Sequence, residues 1–89
     1  MRRSQLIVYG SVQGVFFRYS TKKEAKKLKL TGWCRNESDG TVLIEVQGDS
    51  EGIDKFITWA RQGSPLARVE KIEISELDID KEEEEFEIR

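Results

Sequence analysis

Residues 5–30 read QLIVYGSVQGVFFRYSTKKEAKKLKL, a strand pattern that passes through a glycine-bearing loop into a helix pattern. Gln5 to Val12 is rich in β-branched and aromatic residues, which suit a pleated, half-buried strand. Past the loop, Phe17, Thr21, Ala25 and Leu28 recur at helical spacing. They predict a helix from Phe17 or Tyr19 to Leu30. Lys22, Lys23, Glu24, Lys26, Lys27 and Lys29 fill its remaining faces, and Gly32 is the expected stop.

Working outward, Trp33 to Asn36 and Thr41 to Gln47 read as paired strands joined by Glu37-Ser38-Asp39-Gly40, whose Asp-Gly end is a hairpin signal. Val42, Ile44 and Val46 share one face of the second strand. Asp49 or Ser50 caps the next helix, in which Ile53, Phe56, Ile57 and Ala60 line one side. Gly63 and Pro65 end it. Ala67 to Ile79 is strand-like, but its alternation slips between Val69 and Ile72 and again between Ile74 and Leu77. Both slips are expected to be bulges or bends. Phe86 and Ile88 form a short last strand, after a charged run, Asp80 to Glu85, expected to be a solvated turn and edge. The order is βαββαβ with an appended strand. Two helices on one face of a mainly antiparallel sheet make a ferredoxin-like α+β sandwich.

At 89 residues the chain is expected to be one domain, with a simple fold and a shallow site. Its formal net charge of −2 gives no general attraction to nucleic acid or anionic lipid. Any anion must be held by a local constellation. Charged residues make up 36% of the chain, above the usual level of about 25%, which suits surface ion-pair networks of the kind found in heat-adapted proteins. The single Cys34 excludes an internal disulfide and a Cys-cluster metal site. With no His, no Ser-His or Cys-His pair can operate. Arg2-Arg3 is followed by only four apolar residues before Gly10, so neither a targeting nor a spanning segment is expected. A cytoplasmic monomer is the expectation.

A strand, a Gly loop, an Arg and a helix are the parts needed to hold a phosphate. Gly14 and Gly10 can adopt backbone angles closed to other residues, letting successive N–H groups converge on an anion. The helix start adds partial positive charge, and Arg18 a planar donor fork. On pattern alone the better reading of the loop is a plain connection, since most Gly-containing strand-to-helix loops are no more than that. It is neither a Walker loop nor a dinucleotide-binding GxGxxG. Asn36, where a strand enters a turn, is in isolation a turn former, although its amide can also hold a water. Cys34 has no visible base partner and reads as a packed thiol. Trp33, Trp59 and Phe56 read as packing, and the lysines from 22 to 29 as a solvated face able to draw anions toward the site.

Gly10-Ser11-Val12-Gln13-Gly14-Val15-Phe16-Phe17-Arg18 is similar to the acylphosphatase pattern G-x-V-Q-G-V-x-F-R. Residues 32–42, GWCRNESDGTV, resemble that family's second motif, with Cys34 in place of the usual Val. Gly48 and residues 63–69, GSPLARV, follow in the family's order, with Ser64 replacing a common Pro. The resemblance implies hydrolysis of carboxyl-phosphate anhydrides of small acyl phosphates to carboxylate and inorganic phosphate. It maps phosphate binding onto the backbone amides of Gln13, Gly14, Val15, Phe16 and Phe17 and onto Arg18. It maps positioning of the attacking water onto Asn36, with Thr41 as a supporting hydroxyl. No cofactor and no metal are expected, because Arg18 and the amides can neutralise the phosphate, and a carboxylate leaves without a general acid.

Two other functions stand beside this one. A ferredoxin-like sheet can bind RNA, but the aromatic pattern of such readers is missing and the net charge is unfavourable. A non-catalytic or specialised domain of the same family is the second; retention of Arg18 and Asn36, in a chain expected to end with its fold, argues for activity.

Overall fold

A computed structural model describes all 89 residues, Met1–Arg89. The chain runs β1 (Arg2–Ser11), α1 (Phe17–Lys27), β2 (Thr31–Asn36), β3 (Val42–Gly48), α2 (Ser50–Gln62), β4 (Arg68–Leu77) and β5 (Phe86–Ile88). The strands form one sheet in the order β4-β1-β3-β2-β5. Only the β2–β5 pairing is parallel. This is the expected ferredoxin-like α+β arrangement.

Alternation decides which face is buried. Leu6 and Val8 of β1 pair with Ile44 and Val42 of β3, and Ile44 pairs with Cys34 of β2. All five are fully buried, and Phe17, Ala25, Ile53, Phe56 and Ala60 of the helices pack onto them. Complete burial of each large side chain contributes about 1.5–3 kcal/mol. Trp59 closes the helix layer by stacking on Phe17, with ring centroids 5.9 Å apart. Trp33 lies on the opposite face instead, under the guanidiniums of Arg35 and Arg89 at 5.1 and 5.0 Å. It is packed, but outside the apolar core. No helix is long and apolar enough to cross a membrane.

Three expectations need correction. Gly32 does not stop α1. The helix ends at Lys27, and Lys29 takes the left-handed conformation at φ 60°. There the Leu30 N–H donates to Ala25 O at 2.9 Å and the Lys29 N–H to Lys26 O at 3.0 Å, a Schellman ending built without glycine. Gly32 serves the sheet, since a Cβ there would stand 1.9 Å from Glu45 O.

The first phase slip in β4 is a bulge, because Tyr9 pairs with Lys71 while Gly10 pairs with Val69. The second is not, because pairing runs unbroken from Tyr9–Lys71 to Arg3–Leu77. Glu76 follows Ile72 and Ile74 on the same face and is what interrupts the apolar alternation. Its carboxylate accepts hydrogen bonds from Ser4 Oγ at 2.6 Å and Arg2 Nε at 3.1 Å. Those two bonds, Arg2's contributing most and Ser4's next, hold its pKa below the usual carboxylate value.

The run Asp80 to Glu85 is not a solvated turn throughout. It joins strands at opposite edges of the sheet and therefore has to cross it. Glu83 turns inward, its carboxylate taking Arg3 Nη1 at 2.8 Å and Nη2 at 3.0 Å. Glu45 and Gln47 complete the shell around Arg3, which is only 5% exposed. Gln47 also bonds both the N–H and the carbonyl of Asp80. The crossing is strapped down by one buried cation.

Candidate active site

The loop between β1 and α1 is shaped by two left-handed residues. Gly14 stands at φ 74° with open space where a Cβ would be. Phe16, the residue before α1, stands at φ 60° despite its side chain. Residues alternating between left- and right-handed conformations turn successive N–H groups toward one point. None of the backbone N–H groups of Gln13, Gly14, Val15 and Phe16 finds a backbone acceptor. No side chain caps α1, and its first turn holds no acidic residue. Its free N–H groups and partial positive charge therefore face out from the same loop.

Arg18 follows in the first turn of α1, half-buried, with no ion pair to any carboxylate of the chain. It lines a cavity of about 280 Å³ together with Val12, Gly14, Phe16, Phe17, Tyr19 and Ile88. Phe17 is fully buried and anchors the loop in the core. Val15 packs against the same core from the edge.

Asn36 is the last residue of β2, in the inward-facing row that also holds Gly32 and Cys34. Its Oδ1 is buried and has no hydrogen-bond partner in the protein. Gln13 brings this strand end to the loop. Its side-chain Nε2 donates to Glu37 O and to Thr41 O, both at 2.8 Å, bridging the β2–β3 turn directly after Asn36. Thr41 is placed beside Asn36 but makes no hydrogen bond to it. Its hydroxyl donates to Asp39 Oδ1 at 2.6 Å, and its N–H to the same oxygen at 3.0 Å. Those bonds, the hydroxyl's first, lower the Asp39 pKa, so the turn is held by an ionised carboxylate. Thr41 thus supports the turn rather than the Asn36 amide.

Cys34 takes no part in polar chemistry. Burial pushes its thiol up to about 12, with Arg18 and Lys22 opposing the shift too weakly to cancel it. A thiolate nucleophile at neutral pH is excluded. Its Sγ rests 3.8 Å from Arg18 O, a weak contact between β2 and the start of α1.

The model of the acylphosphatase family matches residues 4–88, which include the loop, Arg18 and Asn36. The chain belongs to the acylphosphatase family. An acylphosphatase of Thermococcus kodakarensis is 51% identical over 72 residues, covering 81% of this chain and 79% of that one. One of Methylococcus capsulatus is 43% identical over 86 residues, covering 97% and 94%. The crystal structure of the Bacillus subtilis acylphosphatase superposes with a TM-score of 0.95 at 37% identity, covering 100% of this chain and 99% of that one.

Within this acylphosphatase fold, three features escaped the reading of residue patterns. The Gln13 side chain was assigned no role beyond its backbone amide, yet it ties the two motifs together. Phe16 supplies the second left-handed residue, with no glycine to signal it. Ile88 joins the cavity from the far end of the chain, because β5 pairs with β2 at Cys34 and Arg89 N–H reaches Cys34 O at 2.7 Å. Its alternation with Glu87 was visible, but not the strand it would adjoin.

Proposed function

We propose that this acylphosphatase hydrolyses small acyl phosphates through Arg18, Asn36 and the Gln13–Phe17 backbone, without a metal ion. The observation that carries the proposal is the run of N–H groups without acceptors at Gln13–Phe16, tied by the Gln13 side chain to the turn after Asn36. The amides and the Arg18 fork take the phosphate oxygens. The amide of Asn36, whose Oδ1 has no partner in the protein, aims a water at phosphorus.

Water oxygen bonds to phosphorus as the bond from phosphorus to the acyl oxygen breaks. The carboxylate departs with the electron pair, and the water's proton passes to a phosphate oxygen. A carboxylate is already stable as an anion at neutral pH, so no acid need protonate it. The protein is left with positioning and charge stabilisation, consistent with a chain that has no His. Loop, Arg and Asn come from one chain, so the enzyme as proposed needs no partner subunit and works as a monomer; the cytoplasm is its proposed location. A nucleic-acid role is disfavoured by the formal net charge of −2 and by the missing aromatic pattern of RNA-reading sheets.

The test is release of phosphate from acetyl phosphate, with and without chelator. The intact protein should turn over equally in both, and Asn36→Ala should lose on the order of 10³ in kcat. Inorganic phosphate should still inhibit that variant within about threefold of its original constant, because aiming the water is separate from holding the anion. Absence of hydrolysis in the intact protein would overturn the activity. A full rate in Asn36→Ala would remove that residue from the mechanism.

A further inference from the structure

Charge is unevenly shared along this chain. Helix α1 holds five bases, Arg18, Lys22, Lys23, Lys26 and Lys27, against the single acid Glu24, in a protein whose formal net charge is −2. No ion pair of the protein involves a residue of α1. Arg18 and Lys22, Lys22 and Lys26, and Lys23 and Lys27 stand four residues apart, so each is a like-charge pair that weakens the helix. Two of these bases have a structural reason to be present. Lys26 and Lys27 lie in the last turn, where positive charge suits the helix dipole, and Lys26 lines a cavity together with Glu84 and Glu85. Lys22 and Lys23 have neither advantage. Lys22 follows Arg18 by one helical turn and is half-buried, and Lys23 beside it is exposed. The Cys34 thiol feels the charges of both Arg18 and Lys22, which places the two cations close to the strand that ends at Asn36. Lys22 does not line the cavity beside Arg18.

We propose that Lys22 and Lys23 steer acyl phosphate dianions to the loop before α1, raising their local concentration without touching the bound phosphate. The inference rests on the hydrolytic function above and concerns the approach of the substrate, not the breaking of its bond. Cations gathered on one face of a net-acidic protein make a local positive potential, down which a dianion moves toward Arg18 and the unpaired N–H groups. The reacting group carries the same total charge before and during cleavage, since the carboxylate keeps the electron pair as it leaves. A cation acting from a distance therefore favours ground state and transition state alike, lowering KM and leaving kcat unchanged. Inorganic phosphate, the anionic product, is drawn in by the same field.

The test is hydrolysis of acetyl phosphate by the full chain between about 0.01 M and about 1 M ionic strength, over which the screening length shrinks from about 30 Å to about 3 Å. At the low end, the double variant Lys22→Gln/Lys23→Gln should lose about fivefold in kcat/KM, all of it in KM, and its inhibition constant for inorganic phosphate should rise in parallel. At the high end it should match the unaltered protein. Its thermal midpoint should be at least as high, because like-charge pairs have been removed from α1. Lys55→Gln/Lys81→Gln makes the same change of net charge at two exposed lysines outside α1, and it should keep the original kinetics at every ionic strength. Equal salt dependence in the α1 variant and the unaltered protein would overturn the steering and leave the hydrolytic function standing. So would a loss that persists at about 1 M, a fall in kcat, or an equal loss in the Lys55/Lys81 variant. Absence of hydrolysis by the unaltered protein would overturn the function itself, and the steering with it.

Discussion

Helix α2 begins under Asp49, whose Oδ1 accepts the Gly52 N–H at 2.7 Å, with Glu51 adding negative charge in its first turn. Helix α1 begins under Phe16, with no side-chain cap, no acid in the first turn, and a loop of unpaired N–H groups before it. Both helices pack on the same sheet and both have good apolar faces. Their starts differ because α2 satisfies its orphan donors from its own chain, whereas α1 leaves them for something else. A terminus that forgoes a cap gives up about 1 kcal/mol of stability. Such a cost is sustained where the free donors have another task.

The difference can be broken from either side. The largest effect is expected at α1, where Arg18→Ala should lower kcat/KM for acetyl phosphate by 10²–10³ or more, on the scale of lost charge-stabilising donors. Thermal unfolding should barely move, since the Arg18 side chain has no ion-pair partner to lose. Gln13→Ala is expected next. With both bonds to Glu37 and Thr41 gone, the loop loses its register against Asn36, and kcat should fall roughly 10–10²-fold while the fold survives. Smallest is Asp49→Ala at α2, which should cost about 1 kcal/mol in denaturant unfolding and leave kinetics unchanged. If Asp49→Ala impaired catalysis as much as Gln13→Ala, the two helix starts would not be doing different jobs.

The same contrast explains what residue patterns could and could not disclose. The faces of β3 and α2 were readable because Val42, Ile44, Val46, Ile53 and Phe56 repeat at the periods that burial imposes, whereas the unbroken apolar run Leu6-Ile7-Val8-Tyr9 marked β1 as a strand without showing its inner face. Arg18 and Asn36 were readable because they stand in motifs. Side chains that reach across the fold leave no periodic mark. Gln13 looks like any loop amide until Glu37 O and Thr41 O are brought within 2.8 Å. Glu83 looks solvated in a run of acids until the sheet order forces its segment past Arg3. Glu76 imitates a phase slip because a carboxylate with two donors can take an inner-face position at the sheet's end. The left-handed Phe16 and Lys29 carry no glycine to betray them.

The cysteine shows the converse case, where chemistry on paper is removed by packing. A lone thiol beside the site invites a nucleophilic role, but burial holds Cys34 protonated at neutral pH.

The central claim is that the unpaired amides at the start of α1 receive the phosphate. Titrating the protein with inorganic phosphate while following backbone amides by heteronuclear NMR tests it without any substitution. Saturable shifts should concentrate at Gln13, Gly14, Val15, Phe16 and Phe17, with Ser50, Glu51 and Gly52 at the capped start of α2 unmoved. Shifts spread evenly over both helix starts, or absent from the loop, would contradict it.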